Sequence, residues 1–375
     1  MRCRIEKIVS GGFGMARGPG GIVFVPFSAP GDLLEIEVRK GRGTFFGKIL
    51  KILEPSPHRR KPECPVYGIC GGCSLLHFEY EAQAGAKVSI FKEVMSRTAH
   101  IDVDDVTLIK GSAVSYRTRA RFASAQSGKN GFGFYQRGSN NVVRIEKCPL
   151  LDNNINSFLA ELNSDIRYSE DSMSVVFDGE KTGSSIKEEL MQSEINSKKV
   201  FYSPNIFFQS NLGVLGTFVS ETLKNLGGGL CVELYSGTGL FSFALSEIYR
   251  DVVAVENSPG VPPFFMMGKK CNNAANISFH NTDAEEFLRS TDIRGPSTVF
   301  IDPPRTGLSK KAADGIISMG PDDIMYVSCS PPTLARDCRR FIKNGYDAVH
   351  FTVFDLFPNT VHIESAVHLK RMRDL

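Results

Sequence analysis

Cys329 sits in the stretch YVSCSPPTLARD, at the tip between a run fit for a strand, Ile324–Ser328, and a segment fit for a helix from about Pro332. A thiolate is the best ready-made nucleophile among side chains, and strand ends are where open α/β sheets gather their chemistry. A lone cysteine more often only packs, so its neighbours decide the matter. Two of them are carboxylates. Asp302 ends an earlier strand in IDPPRTGL, and Glu364 opens the last strand in FPNTVHIES, facing the same edge.

A second set of residues could hold a nucleoside-bearing cofactor. CVELYSGTGLFSFAL places Tyr235, Gly237 and Gly239 in a strand-to-helix turn. Glycines there let a ligand approach the backbone, and the helix N-terminus adds N–H donors. The next strand ends at Glu256, suited to ribose hydroxyls, and the third is followed by Asp283, suited to an adenine amino group. NAD would satisfy the same acids, but the turn lacks a full G-x-G-x-x-G pattern, which favours S-adenosylmethionine. Either acid could instead be a helix N-cap, as Asp283 before AEEFL. Asp302 and its two prolines make a rigid lip over the cofactor's reactive end. Arg305 follows them where amino-methyltransferases carry an aromatic residue, which argues against an exocyclic amine held by stacking.

An S-adenosylmethionine pocket, a thiol and a carboxylate form the set needed to methylate C5 of uracil. That carbon is too poor a nucleophile to act unaided. A Cys329 thiolate adding at C6 would turn C5 into an enolate carbon, and Glu364 would later remove the C5 proton.

A separate cluster, Cys64, Cys70 and Cys73, has the spacing C-x5-C-x2-C, with Cys148 in EKCPLL as a distant fourth. Four thiolates hold either zinc or a [4Fe–4S] cluster, and spacing alone leans to zinc. Cys3, Cys231, Cys271 and Cys338 read as packing residues.

These residues need elements to position them, and 375 residues suffice for two or three domains. Hydrophobic content of 42% and charged content of 23% are ordinary for a globular protein. No apolar run reaches the roughly 20 residues of a membrane span, and MRCRIEKIVS lacks the apolar stretch of a signal peptide. The expected setting is the cytoplasm, where nine cysteines point to metal or catalysis rather than disulfides. Net charge is +3, but residues 1–61 hold 12 Lys/Arg against 5 Asp/Glu, and residues 110–147 hold 8 against 1. Two basic segments on a near-neutral chain point to a polyanion, most simply nucleic acid.

Residues 1–55 read as a small OB-type β-barrel with strands RCRIEKIV, GIVFVPF, LLEIEVRK and TFFGKILKI. Residues 56–200 form a central domain with a helix over Tyr80–Ser96 and basic strands YRTRARFASA, GFGFYQ and NVVRIEKC. Arg117, Arg119 and Arg121 alternate and so share one strand face, suited to RNA backbone; a solvated edge strand is the competing account. Residues 201–375 alternate strand and helix, a doubly wound parallel sheet ending in an antiparallel hairpin across DLFPNT.

With these motifs in hand the chain resembles the RNA uracil-C5 methyltransferases, in the branch with an N-terminal TRAM domain and an iron–sulfur cluster. GGFGMARGPGGIVFVPFSAPGD resembles a TRAM domain, CPVYGICGGC the cluster motif and NIFFQSN the opening of the catalytic domain. DPPRTGL, VSCSPPTLARD and FPNTVHIES resemble the catalytic motifs. The resemblance implies a Rossmann-like S-adenosylmethionine methyltransferase domain with Cys329 as nucleophile and Glu364 as proton acceptor. It also implies Gln209, Glu256 and Asp302 in the cofactor and base pocket, and Phe207 stacked near a flipped uracil. It replaces zinc by [4Fe–4S], held by Cys64, Cys70, Cys73 and Cys148 in a structural role. The implied partner is RNA, 23S ribosomal RNA ahead of the tRNA T-loop, with no membrane and no obligate protein partner. The rival readings are a cytosine-C5 or amino methyltransferase, and an RNA-binding factor with a vestigial catalytic domain.

Overall fold

The computed structural model describes residues 1–372 except 42, 125–130 and 165–169. Arg42, Lys129 and the last residue of the expected 116–125 strand therefore lie outside the described residues. No helix among the described residues is long and apolar enough to cross a membrane.

The N-terminal segment forms one six-stranded sheet in the order Arg2–Arg4, Leu33–Lys40, Phe45–Glu54, Gly21–Val25, Phe13–Gly18, Lys7–Val9. Strand alternation sends Cys3, Ile5, Val23, Val25, Leu34 and Ile36 into a core of their own. Six strands appear where the sequence predicts four. RCRIEKIV breaks in two, and the glycine-rich stretch Phe13–Gly18, poor in strand formers, is held as a strand by pairing on both sides.

The basic central strands form a five-stranded antiparallel sheet backed by the helix Asn153–Ser164. Within it Arg119–Ser124 pairs with Phe132–Tyr135 on one side and Ser172–Phe177 on the other. It is paired on both sides only at Ala123 and Ser124, and at Arg119 and Arg121 its one strand partner is Ser172–Phe177.

Residues 228–371 supply seven strands of an eight-stranded sheet. Its order is Ile277–Asn281, Tyr249–Glu256, Gly228–Leu234, Thr298–Ile301, Asp323–Ser328, Glu364–Arg371, Tyr346–Asp355, Thr107–Lys110. The first five are parallel, and Glu364–Arg371 runs antiparallel to both neighbours. Alternate side chains enter opposite layers: Val232, Val299, Ile324 and Val367 one, Cys231, Phe300, Met325 and Ala366 the other. Burial on both faces is why these strands read as unbroken apolar runs.

The eighth strand, Thr107–Lys110, comes from the segment assigned to the central domain and lies parallel to Tyr346–Asp355. The helix before it, Tyr80–Val94, ends in a single π-helical turn, Met95–Ala99, packed on the same core. The 56–200 segment therefore contributes to two bodies. Lys87 on that helix is fully buried and meets Asp355 at 2.7 Å and the Phe357 carbonyl at 3.0 Å. Cys3, Cys231 and Cys338 are buried as expected of packing residues, whereas Cys271 is exposed.

Candidate active site

Ser328 pairs with Ser365 across the antiparallel strands, so the next positions outward, Cys329 and Glu364, leave the sheet opposite each other. Helix Pro331–Ile342 starts two residues after the cysteine, with proline at its first turn where a missing N–H costs nothing. Leu334, Ala335, Cys338 and Phe341 bury one face of that helix and hold the strand-to-helix tip rigid. Cys329 is half-buried and Glu364 is buried. Burial pushes the Cys329 thiol up to about 11, and the Glu364 and Asp302 carboxylates add to the rise. Arg305 reaches the thiol and pulls the other way. Burial, then the Asp302 charge, raise Glu364 well above the usual carboxylate range, again with Arg305 opposing. Burial lifts Asp302 to about 7.

Arg305 is thus a site residue that the sequence reading used only as a departure from an aromatic pattern. Its loop is fixed by Asp337, which accepts from Tyr326 Oη at 2.7 Å and from the Leu308 N–H at 2.9 Å and pairs with Arg336. Thr333 Oγ1 donates to the Arg305 carbonyl at 3.3 Å. His362 Nδ1 lies 3.5 Å from the Arg305 guanidinium, and burial together with that cation lowers His362 to about 4. Nothing in the spacing of the motif announced Asp337 or His362; both act through the tertiary fold.

On the cofactor side, Glu256 accepts from the Gly237 N–H at 2.9 Å and the Ser258 N–H at 2.8 Å, leaving further lone pairs for ligand hydroxyls. Gly239 has φ +97°, and a Cβ there would meet the Phe243 ring at 2.6 Å. Tyr235 has φ +65°, rare for a bulky residue and of the kind that collects at functional sites. The Ser236 hydroxyl is buried with no hydrogen-bond partner among the described residues. Asp283 caps helix Ala284–Ser290 by accepting from the Glu285 N–H at 2.8 Å, the alternative role foreseen for it. Beneath the turn lies Glu233, bonded to Ser242 and pushed up to about 8 by burial and by the Asp302 and Glu256 charges. Glu233 feels the charges of Asp302 and Glu256, and Glu364 that of Asp302, so four carboxyl groups gather at this edge of the sheet.

The remaining predicted residues fall in three places. Gln209 is half-buried beside Phe208, which stacks on Tyr202 at 4.2 Å, while Phe207 is 76% exposed. Of the three arginines on one face, Arg121 bonds to Ser172 and Arg119 turns inward to the Pro204 carbonyl at 2.6 Å. Burial lowers the pKa of Arg119, and its bond to the Pro204 carbonyl occupies one end of the guanidinium. Arg117 lines a groove of about 870 Å³ with Gly11, Arg137, Tyr135 and His362. The groove thus touches all three segments of the chain.

Cys64, Cys70, Cys73 and Cys148 line one small cavity with Arg117, Phe134 and Ile145. Burial, then the other three thiols, push Cys73 up to about 12. Among the described residues no three His, Cys, Asp or Glu side chains converge closely enough to hold a single metal ion. Directly after the cysteine segment, the Ser74 and Leu75 N–H groups donate to the Asn359 carbonyl, both at 3.1 Å. Asn359, at φ +64°, also binds Arg60, Gln83 and the Ala113 carbonyl through its side chain.

The class defined by this fold and site is an S-adenosylmethionine-dependent RNA methyltransferase acting on uracil C5. Residues 172–372 match the family model for tRNA (uracil-5-)-methyltransferase, and residues 1–58 match the TRAM domain of tRNA (uracil(54)-C(5))-methyltransferase. The chain belongs to the tRNA (uracil-5-)-methyltransferase family. An uncharacterised RNA methyltransferase of Aquifex aeolicus is 28% identical over 99% of this chain and 98% of its own. A 23S rRNA (uracil(1939)-C(5))-methyltransferase of Photorhabdus laumondii is 27% identical over 98% and 95%. In fold, the tRNA (uracil-54, C5)-methyltransferase of Pyrococcus abyssi, solved with S-adenosyl-L-homocysteine, superposes with a TM-score of 0.79 at 22% identity, covering 98% and 100% of the chains.

Proposed function

We propose that this enzyme methylates C5 of a uridine in 23S ribosomal RNA, working in the cytoplasm through a covalent adduct of Cys329 with C6 of the base. The observation that carries the mechanism is the opposition of Cys329 and Glu364 at paired strand ends, with Arg305 acting on both. The glycine turn bonded to Glu256 and the orphaned Ser236 hydroxyl fit S-adenosylmethionine, which would supply the methyl group when bound. The Cys329 thiol gives its proton to solvent, and Arg305 stabilises the thiolate that results. The thiolate adds to C6, the electrons of the C5–C6 bond pass to the C4 carbonyl, and C5 becomes nucleophilic. Once C5 carries the methyl group, the Glu364 carboxylate takes the C5 proton and the enolate expels the thiolate. The environment that raises Glu364 makes it a stronger base than an exposed carboxylate, and Arg305 favours its ionised form.

The same reading gives the four-cysteine cavity a structural [4Fe–4S] cluster. Its support is the donor set, four cysteines lining one mostly apolar cavity, the number of thiolates that such a cluster takes. Iron and sulfide in the purified protein, with broad absorbance near ~400 nm, are the expected result; a colourless zinc protein would overturn it.

The choice of ribosomal RNA rests on the full-length relative that acts on 23S rRNA. A specific observation favours tRNA as the second reading, since residues 1–58 match a TRAM domain of the tRNA type. The test uses S-adenosylmethionine with a deuterated methyl group and size-separated RNA from cells lacking 5-methyluridine. Labelled 5-methyluridine in the ribosomal fraction is expected; label in the tRNA fraction would move the substrate. Label in cytosine or adenine would overturn the uracil reading, and RNA binding without label would leave an RNA-binding factor.

A further inference from the structure

Phe24 lies between Val23 and Val25, which face the N-terminal core, so its ring must lie on the other side of the sheet. There it meets Phe13 and Phe46 from the two neighbouring strands. Ring centroids are 6.4 Å apart for Phe13–Phe24, 5.8 Å for Phe13–Phe46 and 6.2 Å for Phe24–Phe46. Phe46 is 40% exposed and the other two are half-buried. One such residue on a surface is ordinary. Three touching rings on the outer face of a small barrel are not, because that face forgoes the burial they could have had in the core.

Their surroundings are charged, with Arg39 ion-paired to Glu37 at 3.1 Å. Phe46 stands in register with Phe24 on one side and with exposed Arg39 on the other. Lys48, two residues along the strand and so on the same face, is exposed as well. The face also adjoins the groove lined by Arg117 and His362. Gly11 lines that groove, and a Cβ on Gly11 would lie 3.0 Å from the Phe13 ring. At its other side the groove is lined by Thr360 and His362, and His362 lies 3.5 Å from Arg305. Gly12 presses so tightly on this wall that a Cβ there would fall 2.1 Å from Val361, which fixes the barrel against the catalytic loop.

From this we infer that Phe13, Phe24 and Phe46 form a stacking platform for unpaired bases of the RNA that flanks the target uridine. The inference rests on the RNA-methylating reading above and adds where the strand goes after it leaves the groove. Aromatic rings accept the π-face of any base, but a base offers that face only outside a continuous duplex stack. The basic neighbours serve the backbone between stacked bases. The platform therefore selects for single-stranded flanks rather than for a particular sequence.

The test measures binding of a short unpaired RNA carrying 2-aminopurine, without methyl donor, to the full chain and to F46L, F46Y and R39Q. Stacking predicts that F46L binds roughly 10-fold more weakly and loses the quenching of 2-aminopurine, while F46Y stays within about twofold. F46L should leave the slope of log K against log salt unchanged, and R39Q should lessen it by about 1. Thermal melts that coincide for F46L and F46Y keep folding out of the comparison. Equal binding by F46L and F46Y would overturn the inference and leave the rings as a docking face for protein. Failure of the underlying reading is separate: it would show as no 5-methyluridine formed by the unsubstituted chain.

Discussion

Thiols occupy two places in this protein under different neighbours. Cys64, Cys70, Cys73 and Cys148 face one another across an apolar cavity, with Arg117 on its wall. Cys329 faces two carboxyls and Arg305 at the open end of a sheet. Burial raises both kinds, Cys73 to about 12 and Cys329 to about 11, so proton affinity does not separate them. What lies opposite does. Four thiols facing one another would repel once ionised, whereas a thiol set against a carboxyl leaves room for a molecule that takes electrons from one and gives a proton to the other.

The comparison breaks most sharply at Cys329. Cys329→Ala should lower formation of 5-methyluridine by on the order of 10⁴-fold or more while leaving iron content unchanged; turnover near the normal rate would remove the thiol from the mechanism. Glu364→Gln should lower kcat by roughly 10²–10⁴-fold. Unlike the cysteine variant it should accumulate an RNA–protein adduct that survives denaturing electrophoresis. Lys87→Met leaves the fully buried Asp355 carboxylate without its cation, a loss of about 3–5 kcal/mol, to be read from urea unfolding. Cys73→Ser should abolish the absorbance near ~400 nm and lower the melting temperature, the signature of a structural rather than catalytic thiol. The smallest effect belongs to Arg305→Gln. Arg305 holds the Cys329 pKa down, so its loss raises that pKa and leaves less thiolate at a given pH. The rising limb of kcat/KM against pH should move to higher pH.

Much of this arrangement was legible in the residues. The catalytic strands announced themselves as apolar runs because both faces are buried, and the six-residue connection between the last two required an antiparallel hairpin. Cys329 and Glu364 were readable because local motifs carry them to strand ends. Arg305, Asp337, His362 and Lys87 were not, since their roles depend on partners tens or hundreds of residues away. Lys87 reads as a solvated helix residue until Asp355, 268 positions on, is packed over it. The arginines show the converse: Arg119 and Arg121 alternate within one strand while Arg117 lies outside it, and pattern alone could not say that Arg119 folds back onto Pro204.

Asn359 ties this loop to the opposite end of the polypeptide. Its side chain accepts from Arg60, 299 residues earlier, and from Gln83, 276 residues earlier. Contacts of such separation are the slow ones to form, because the closure entropy of nearly the whole chain precedes any gain from them. During synthesis Arg60, Gln83 and Ser74 emerge long before their partner exists and must wait, their polar groups satisfied by water. The catalytic edge therefore takes shape only after Asn359 and the strand Glu364–Arg371 have been made.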